Sequence, residues 1–299
     1  MAISTHTCKW PSGIYQWVSA PGEMSISVPF TWCLPEVRAI VEQRSLFVES
    51  FRVGGPAVAL MPSFFGDFPD YVSIGGDEPG LLQKINSAAT RTTMGCPRRC
   101  AFCGVGRGLL EPGGFRELDD WFDAPIVVDN NLLACSRKHF DRVIDRLKRH
   151  DYADFNQGLD ARLLTQHHAG RFAELSRPTL RLAWDSVGNE KHFMRAVGLL
   201  RAAGIPASRI SVYVLIGFHD TPEDALYRLQ AIRDMGCVTA PMRYRPLDCL
   251  EKDYVMPGTE WTDRELKRFM QYFYCARLRK IPFDVYELGY KRPSDRRLF

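Results

Sequence analysis

The sequence predicts an α/β fold built on a parallel sheet. Between about Ala88 and Pro246, six short β-like runs alternate with five helical patterns, the signature of βα units. At 299 residues and 45% hydrophobic content, the chain is long enough to bury a sizeable core around them. A right-handed series of this kind closes into a full or partial barrel, or opens into a doubly wound sheet. In both cases the working residues stand at the carboxyl ends of the strands.

Three segments follow from this reading. Residues 1–87 carry Pro and Gly punctuation, at Gly54–Gly55–Pro56, Gly75–Gly76 and Pro79–Gly80, and read as a small irregular α/β segment. Residues 88–247 hold the strands Ala88–Met94, Ala124–Asp129, Asp154–Gly158, Thr179–Trp184, Ile210–Gly217 and Ala240–Arg245. The helical patterns are Phe115–Phe122, Lys138–His150, Arg162–Leu175, Glu190–Ala203 and Pro222–Met235. Lys138–His150 is the clearest, with Phe140, Val143, Ile144 and Leu147 on one face. Thr221 before Pro222, Glu223 and Asp224 reads as a helix cap, and Asn189 as another. Residues 248–299 form a helical extension, where Thr262 and Glu265 suggest a capping box ahead of Phe269, Met270, Phe273 and Leu278.

Lys and Arg outnumber Asp and Glu by 39 to 35, a charge of +4 that neither requires nor excludes a nucleic-acid partner. The longest apolar stretch, Val212–Phe218, is far short of the ~20 residues of a membrane helix. The residues around Cys8, Lys9, Trp10 and Pro11 have no apolar segment of the signal-peptide kind. The expectation is a cytoplasmic monomer without a membrane partner. Nine cysteines, an odd number, then favour a cluster or catalytic role over a disulfide scaffold. Cys8, Cys33, Cys135, Cys237, Cys249 and Cys275 are scattered singly.

The other three are grouped. At the end of the first strand stands Gly95–Cys96–Pro97–Arg98–Arg99–Cys100–Ala101–Phe102–Cys103, with spacing C-x3-C-x2-C. Three thiolates this close suit zinc or an iron–sulfur cluster. A structural zinc ion wants four ligands, and the next cysteine, Cys135, is 32 residues on. Three ligands suit a [4Fe–4S] cluster with one iron open, against the plainer reading of cysteines packed as small hydrophobes.

This motif, with aromatic Phe102 before its last cysteine and a six-fold βα series after it, resembles the radical SAM superfamily. The resemblance implies a partial (β/α)6 barrel in which Cys96, Cys100 and Cys103 hold three irons. It further implies that the fourth iron chelates S-adenosyl-L-methionine. One electron, from a reductant such as a flavodoxin or ferredoxin, would cleave the sulfonium and yield a 5′-deoxyadenosyl radical that takes a hydrogen atom from substrate. Phe102 joins the expected cofactor-binding residues.

The resemblance assigns roles at the other strand ends. Asp129 and Asn130 stand where the superfamily places polar groups for the cofactor's amino group, although its Gly-Gly-Glu is absent and a plain turn explains Asp-Asn-Asn as well. Asn156 and Gln157 end the third strand, in a polar string running to Arg162. Asp185 and Ser186 stand where relatives carry Glu-Ser for the ribose or methionine portion. Gly217 would let backbone approach the adenine. Arg245, with Arg243, would meet a carboxylate or form a surface ion pair.

Val53–Gly54–Gly55–Pro56 and Ile74–Gly75–Gly76–Asp77–Glu78–Pro79 resemble the closing part of the cobalamin-binding domain that precedes this barrel in one branch. The Asp-x-His-x-x-Gly signature is missing, and the only histidine before the cysteines is His6. This segment therefore reads as a shortened relic that holds no cobalamin. His167–His168 reads as exposed surface, and His219 as a candidate proton donor near the strand ends. Arg98 and Arg99 would set local charge at the cluster or be solvated. No second cysteine set is present, which argues against an auxiliary cluster and the sulfur-inserting methylthiotransferases.

After Leu247 come Tyr254, Trp261, Phe269, Tyr272, Phe273 and Tyr274. They are followed by Arg279, Lys280, Lys291, Arg292, Arg296 and Arg297, near Tyr286 and Tyr290. Interleaved basic and aromatic groups suit a nucleic-acid or nucleotide-like substrate; packing of the aromatics against the barrel is the alternative. A reading from another class is a non-catalytic, metal-stapled module that binds nucleic acid or protein.

Overall fold

The computed structural model describes residues 10, 13–75, 80–275 and 277–290, the side chains of 279 and 288–290 excepted. His6, Cys8, Gly76, Asp77, Glu78, Pro79, Lys291, Arg292, Arg296 and Arg297 lie outside the described residues, as do the side chains of Arg279 and Tyr290. The chain packs as two compact units, Met1–Asn130 with Pro246–Lys252, and Asn131–Arg245 with Asp253–Phe299.

The first unit opens with a four-stranded sheet. β1 (Tyr15–Ala20) and β2 (Glu23–Ser27) pair antiparallel. Helix α1 (Leu34–Arg44) then returns the chain to β3 (Ser50–Gly54), parallel to β2. α1 has Pro35 in its first turn and buries Leu34, Val37 and Val41, one face at helical spacing. The short α2 (Pro56–Leu60) leads toward β4 (Val72–Ile74), parallel to β3. Ile26, Val28, Phe51, Val53 and Phe65 join the α1 residues in one core. The irregular segment expected here is thus an ordered sheet, because its Gly-Gly-Pro punctuation is a strand-to-helix turn. Gly55 sits at φ 96°, and a Cβ there would lie 2.7 Å from the Val28 nitrogen, a place only glycine fills.

Helix α3 (Leu81–Ile85) precedes β5 (Ala89–Thr90). The single strand expected over Ala88–Met94 is broken: β6 (Thr93–Met94) leaves the parallel sheet and pairs antiparallel with β7 (Arg116–Glu117). The break sits where the Thr92 and Thr93 N–H groups turn to the Asp129 carboxylate. The helix expected over Phe115–Phe122 is absent for the same reason. Its start is held in the ribbon, which the Leu118 N–H extends by donating to Thr92 O (2.9 Å). The crossover to β8 (Ile126–Val127), parallel to β5, therefore carries the cysteine loop in place of a helix.

In the second unit the alternation is regular. α4 (Arg137–Leu147) buries Phe140, Val143, Ile144 and Leu147, as its periodicity requires, and Ser136 caps it by accepting from the His139 N–H. β9 (Ala153–Phe155), α5 (Gln166–Ala173), β10 (Pro178–Ala183), α6 (Glu190–Ala202), β11 (Ile210–Ile216), α7 (Pro222–Asp234) and β12 (Val238–Arg243) follow. Thr221 closes a capping box with Asp224 at the start of α7. Asn189 makes no side-chain cap; it ends a short 3-10 turn that Ser186 begins. Parallel pairing runs in register from β9 through β10 and β11 to β12. In each unit the parallel strands follow chain order, β5 beside β8 in the first and β9, β10, β11 and β12 in the second.

The extension adds α8 (Asp263–Tyr274) and α9 (Phe283–Tyr290). Thr262 and Glu265 form the expected capping box. α8 packs along β12 and buries Leu266, Phe269, Tyr272 and Phe273. Among the described residues no helix is long and apolar enough to cross a membrane.

Candidate functional site

The cysteine loop begins at a fixed point. Gly95 follows β6 at φ 73°, and a Cβ on it would lie 2.2 Å from the Gly114 carbonyl oxygen. Its N–H donates to Glu111 Oε2 at 2.7 Å. Beyond it Cys96, Cys100 and Cys103 are half-buried and not joined in disulfides. The loop then folds back on its own sulfurs. The Arg98 N–H donates to Cys96 Sγ and the Gly106 N–H to Cys103 Sγ, both at 3.4 Å, while the Cys103 N–H donates to Cys100 O at 3.1 Å. A Cβ on Gly106 would stand 3.0 Å from the Cys100 nitrogen, so the return of the loop depends on glycine there.

Peptide N–H groups aimed at sulfur favour the thiolate and tune cluster-bound cysteines. This donor set fits a [4Fe–4S] cluster. Among the described residues no three His, Cys, Asp or Glu side chains form the ligand set of a metal ion; a cluster, with sulfides between its irons, spaces its thiolates more widely than one ion does.

The polar pair after β8 divides its work. Asp129 is 4% exposed; its Oδ1 accepts from the Thr92 N–H (2.6 Å) and the Thr93 N–H (3.0 Å), and its Oδ2 accepts from the Thr92 hydroxyl. Burial pushes its carboxyl above the usual carboxylate range, against the pull of those donors. Asp129 thus fastens the chain break that feeds the cysteine loop. Asn130 instead reaches the loop through a third residue: its Nδ2 donates to Glu111 Oε2 at 2.7 Å. Glu111 also takes Arg91 Nη1 on Oε1 at 2.5 Å.

In the second unit, the other expected residues all follow carboxyl ends of neighbouring parallel strands, and so share one edge of the sheet. Gln157 is exposed, and Asn156, half-buried, accepts from the Tyr213 hydroxyl on its carbonyl at 3.0 Å. Asp185 accepts from the Leu215 N–H (3.3 Å), and burial raises its carboxyl, opposed by that hydrogen bond and by Arg228 and Arg162. Ser186 is exposed, and its hydroxyl accepts from the Gly188 N–H as a turn cap. Gly217 has φ 80°, but the space a Cβ would need is held by Leu266 Cδ2 at 2.9 Å. On its Cα side the close approach is to this side chain of α8. Arg245 is half-buried and donates to Arg243 O at 3.4 Å, and Arg243 pairs with the Asp263 carboxylate at 2.7 Å. Phe102 is half-buried within the cysteine loop.

Other expected roles move. His167 bonds Asp141 (2.8 Å), and His168 meets Phe140 edge to face (4.6 Å between ring centres) and closes the α5 capping box, so neither is simple exposed surface. Burial lowers the pKa of His168. His219 is exposed and lies 4.0 Å from the Phe218 ring. Trp261, Phe269, Tyr272 and Phe273 are buried in the packing of α8, while Tyr274 is 54% exposed.

Among solved structures, the chain is similar to the radical S-adenosylmethionine methyltransferase TsrM from Kitasatospora setae, described with cobalamin and a [4Fe-4S] cluster bound. The similarity has a TM-score of 0.54 at 13% identity, and covers 74% of this chain and 64% of that one. The chain has a radical-SAM-like fold. It spans less than two thirds of the length of that neighbour. No protein-family model and no curated protein matches the sequence.

Glu111 is the residue that the sequence did not disclose. It lies 15 residues beyond Cys96, ahead of Pro112–Gly113–Gly114, and nothing in that string marks a carboxylate as part of the site. Its φ of 54° places it in the left-handed region, uncommon for a residue with a side chain.

Proposed function

We propose that the chain is a radical S-adenosylmethionine enzyme with one [4Fe–4S] cluster, in a partial (β/α)6 barrel. The observation that carries this reading is the three-cysteine loop with N–H groups directed at its sulfurs, set in the crossover between the first two strands of a radical-SAM-like parallel sheet. Cys96, Cys100 and Cys103 would hold three irons. The bound cluster and S-adenosylmethionine would supply a one-electron cleavage whose product takes a hydrogen atom from the substrate.

The chain's own residues position and shield. The Arg98 and Gly106 N–H groups donate to the Cys96 and Cys103 sulfurs. Asn130 offers an amide beside the loop, and Asn156, Gln157, Asp185 and Arg245 offer polar groups along one sheet edge. A flavodoxin- or ferredoxin-like donor would supply the electron. Cobalamin is not part of the proposal, because no histidine stands between His6 and His139 to give the N-terminal sheet an imidazole. Phe269, Tyr272 and Phe273 are buried in the packing of α8, so a nucleic-acid substrate would rest on the exposed Tyr274 and the basic residues that follow it.

Anaerobic reconstitution with iron and sulfide tests the reading. The full chain should take up about four irons and give a cluster spectrum. With dithionite and S-adenosylmethionine it should release 5′-deoxyadenosine. Cys96→Ala, Cys100→Ala and Cys103→Ala should each abolish both. A colourless protein that keeps stoichiometric zinc and refuses iron would instead establish the metal-stapled binding module.

A further inference from the structure

We propose that Glu111 is the positioning residue of the cysteine site, holding the peptide ahead of Cys96 and the amide of Asn130 on one carboxylate oxygen. The inference rests on the cluster reading above. Gly95 N and Asn130 Nδ2 both lie 2.7 Å from Glu111 Oε2, while Arg91 Nη1 holds Oε1 at 2.5 Å. The side chain is 14% exposed, so these charge-assisted hydrogen bonds are only weakly screened. The backbone is held at φ 54° to bring it there, a conformation that persists only where its surroundings over-determine it.

Two consequences follow for the loop. Gly95 is held by the Glu111 carboxylate on its N–H, and the Gly114 carbonyl occupies the place a Cβ would need. The direction in which the chain enters Cys96 is therefore set before any cluster binds. With its Nδ2 on Glu111, Asn130 turns Oδ1 the other way, so this amide presents an acceptor. An acceptor suits an ammonium and repels a carboxylate, and Glu111 thereby selects which end of an amino-acid-like ligand Asn130 meets. Partners of this outer kind, when removed, typically reduce metal affinity or activity ~10–100-fold.

The test uses the full chain, reconstituted anaerobically, with Glu111→Ala, Glu111→Gln and Asn130→Ala. Gln can keep its oxygen on Gly95 and Asn130, but its amide nitrogen then faces Arg91 Nη1, so it loses the Arg91 contact along with the charge. Wild type and Glu111→Gln should load about four irons and show an altered electron paramagnetic resonance spectrum on adding S-adenosylmethionine. Glu111→Ala should load iron ~10–100-fold less tightly. Asn130→Ala should load iron normally, yet need at least ~10-fold more S-adenosylmethionine for the spectral change.

Glu111→Ala that loads and responds like wild type overturns the proposal, as does Glu111→Gln failing as badly as Ala. If Glu111→Ala does not fold, Asn130→Ala decides: an unchanged response to S-adenosylmethionine, or lost iron, overturns it. A wild type that takes up no iron is a different result, and removes the cluster reading itself.

Discussion

Arg228→Met should remove a large part of the stability of the second unit. Arg228 has no exposed side-chain surface, and its guanidinium donates to Trp184 O (2.9 Å), Leu215 O (3.1 Å), Asp224 O (3.2 Å) and the Asp220 carboxylate. It thus joins the ends of β10 and β11 to the first turn of α7. Burial alone would lower the pKa of such a group, and the Asp220, Asp185 and Asp224 charges oppose that. Methionine fills much of the volume but leaves Asp220 without its counter-charge and two strand-end carbonyls without donors. Removing one partner of a buried pair costs about 3–5 kcal/mol, and each orphaned carbonyl adds about 1–3 kcal/mol.

The loss is limited from the other side. Asp220 keeps the Gly217 N–H (2.9 Å) and Trp261 Nε1 (3.1 Å), and its carboxyl, already raised by burial, can take up a proton. About 4 kcal/mol is expected, a large share of the ~5–15 kcal/mol that holds an ordinary domain folded. Urea unfolding at neutral pH, followed by far-ultraviolet circular dichroism, measures it. Adding Asp220→Asn to the Arg228→Met protein should recover ~1–2 kcal/mol by removing the stranded charge. A loss below ~1 kcal/mol for Arg228→Met, or no recovery in the double variant, would refute the reasoning.

Two further outcomes are expected. Asp129 binds its proton more tightly folded than unfolded, so its contribution makes stability fall as pH rises from about 4 through its raised pKa. Asp129→Asn, whose amide can keep the threonine contacts with the Thr92 hydroxyl reversed, should gain on wild type across that window; a difference constant with pH would count against the assignment. Gly95→Ala should be worse than Gly108→Ala, since both have φ near 72° but only the former meets an atom, Gly114 O at 2.2 Å. The shared strain is ~1–2 kcal/mol and the clash adds ~1–3 kcal/mol; equal unfolding midpoints would disprove the wall.

What was legible in the sequence was local. The Phe140, Val143, Ile144 and Leu147 face of α4 and the capping boxes at Thr221 and Thr262 stood where their spacing placed them, because such signals act within one or two turns. β11 alternates buried and half-buried residues along its whole length. Interactions between distant residues left no such trace. The bonds from Thr92 and Thr93 to Asp129 span 37 and 36 residues, and those reaching Glu111 span 16 to 20. They break the first strand, replace a helix with a ribbon, and make Asp129 a clasp. Gly217 was visible as a special backbone position, but that Leu266 fills the space beside it is a matter of packing. The strand-end polar residues were readable as a set, since parallel strands send every carboxyl end to one edge.

The first unit is assembled from two stretches of chain, and the hydroxyl of Thr31 donates to the carbonyl of Cys249 in the second of them. On a translating ribosome these stretches emerge at different times. Pro246–Lys252 is made more than about a hundred residues after Asn130, which is roughly 5–20 s later at ordinary elongation rates. Until then the Thr31 hydroxyl and the turn around it must bond water or nascent neighbours. The earlier of the two stretches is therefore completed only when the later one follows, and a nascent chain stalled before Pro246 should present that gap to chaperones and proteases.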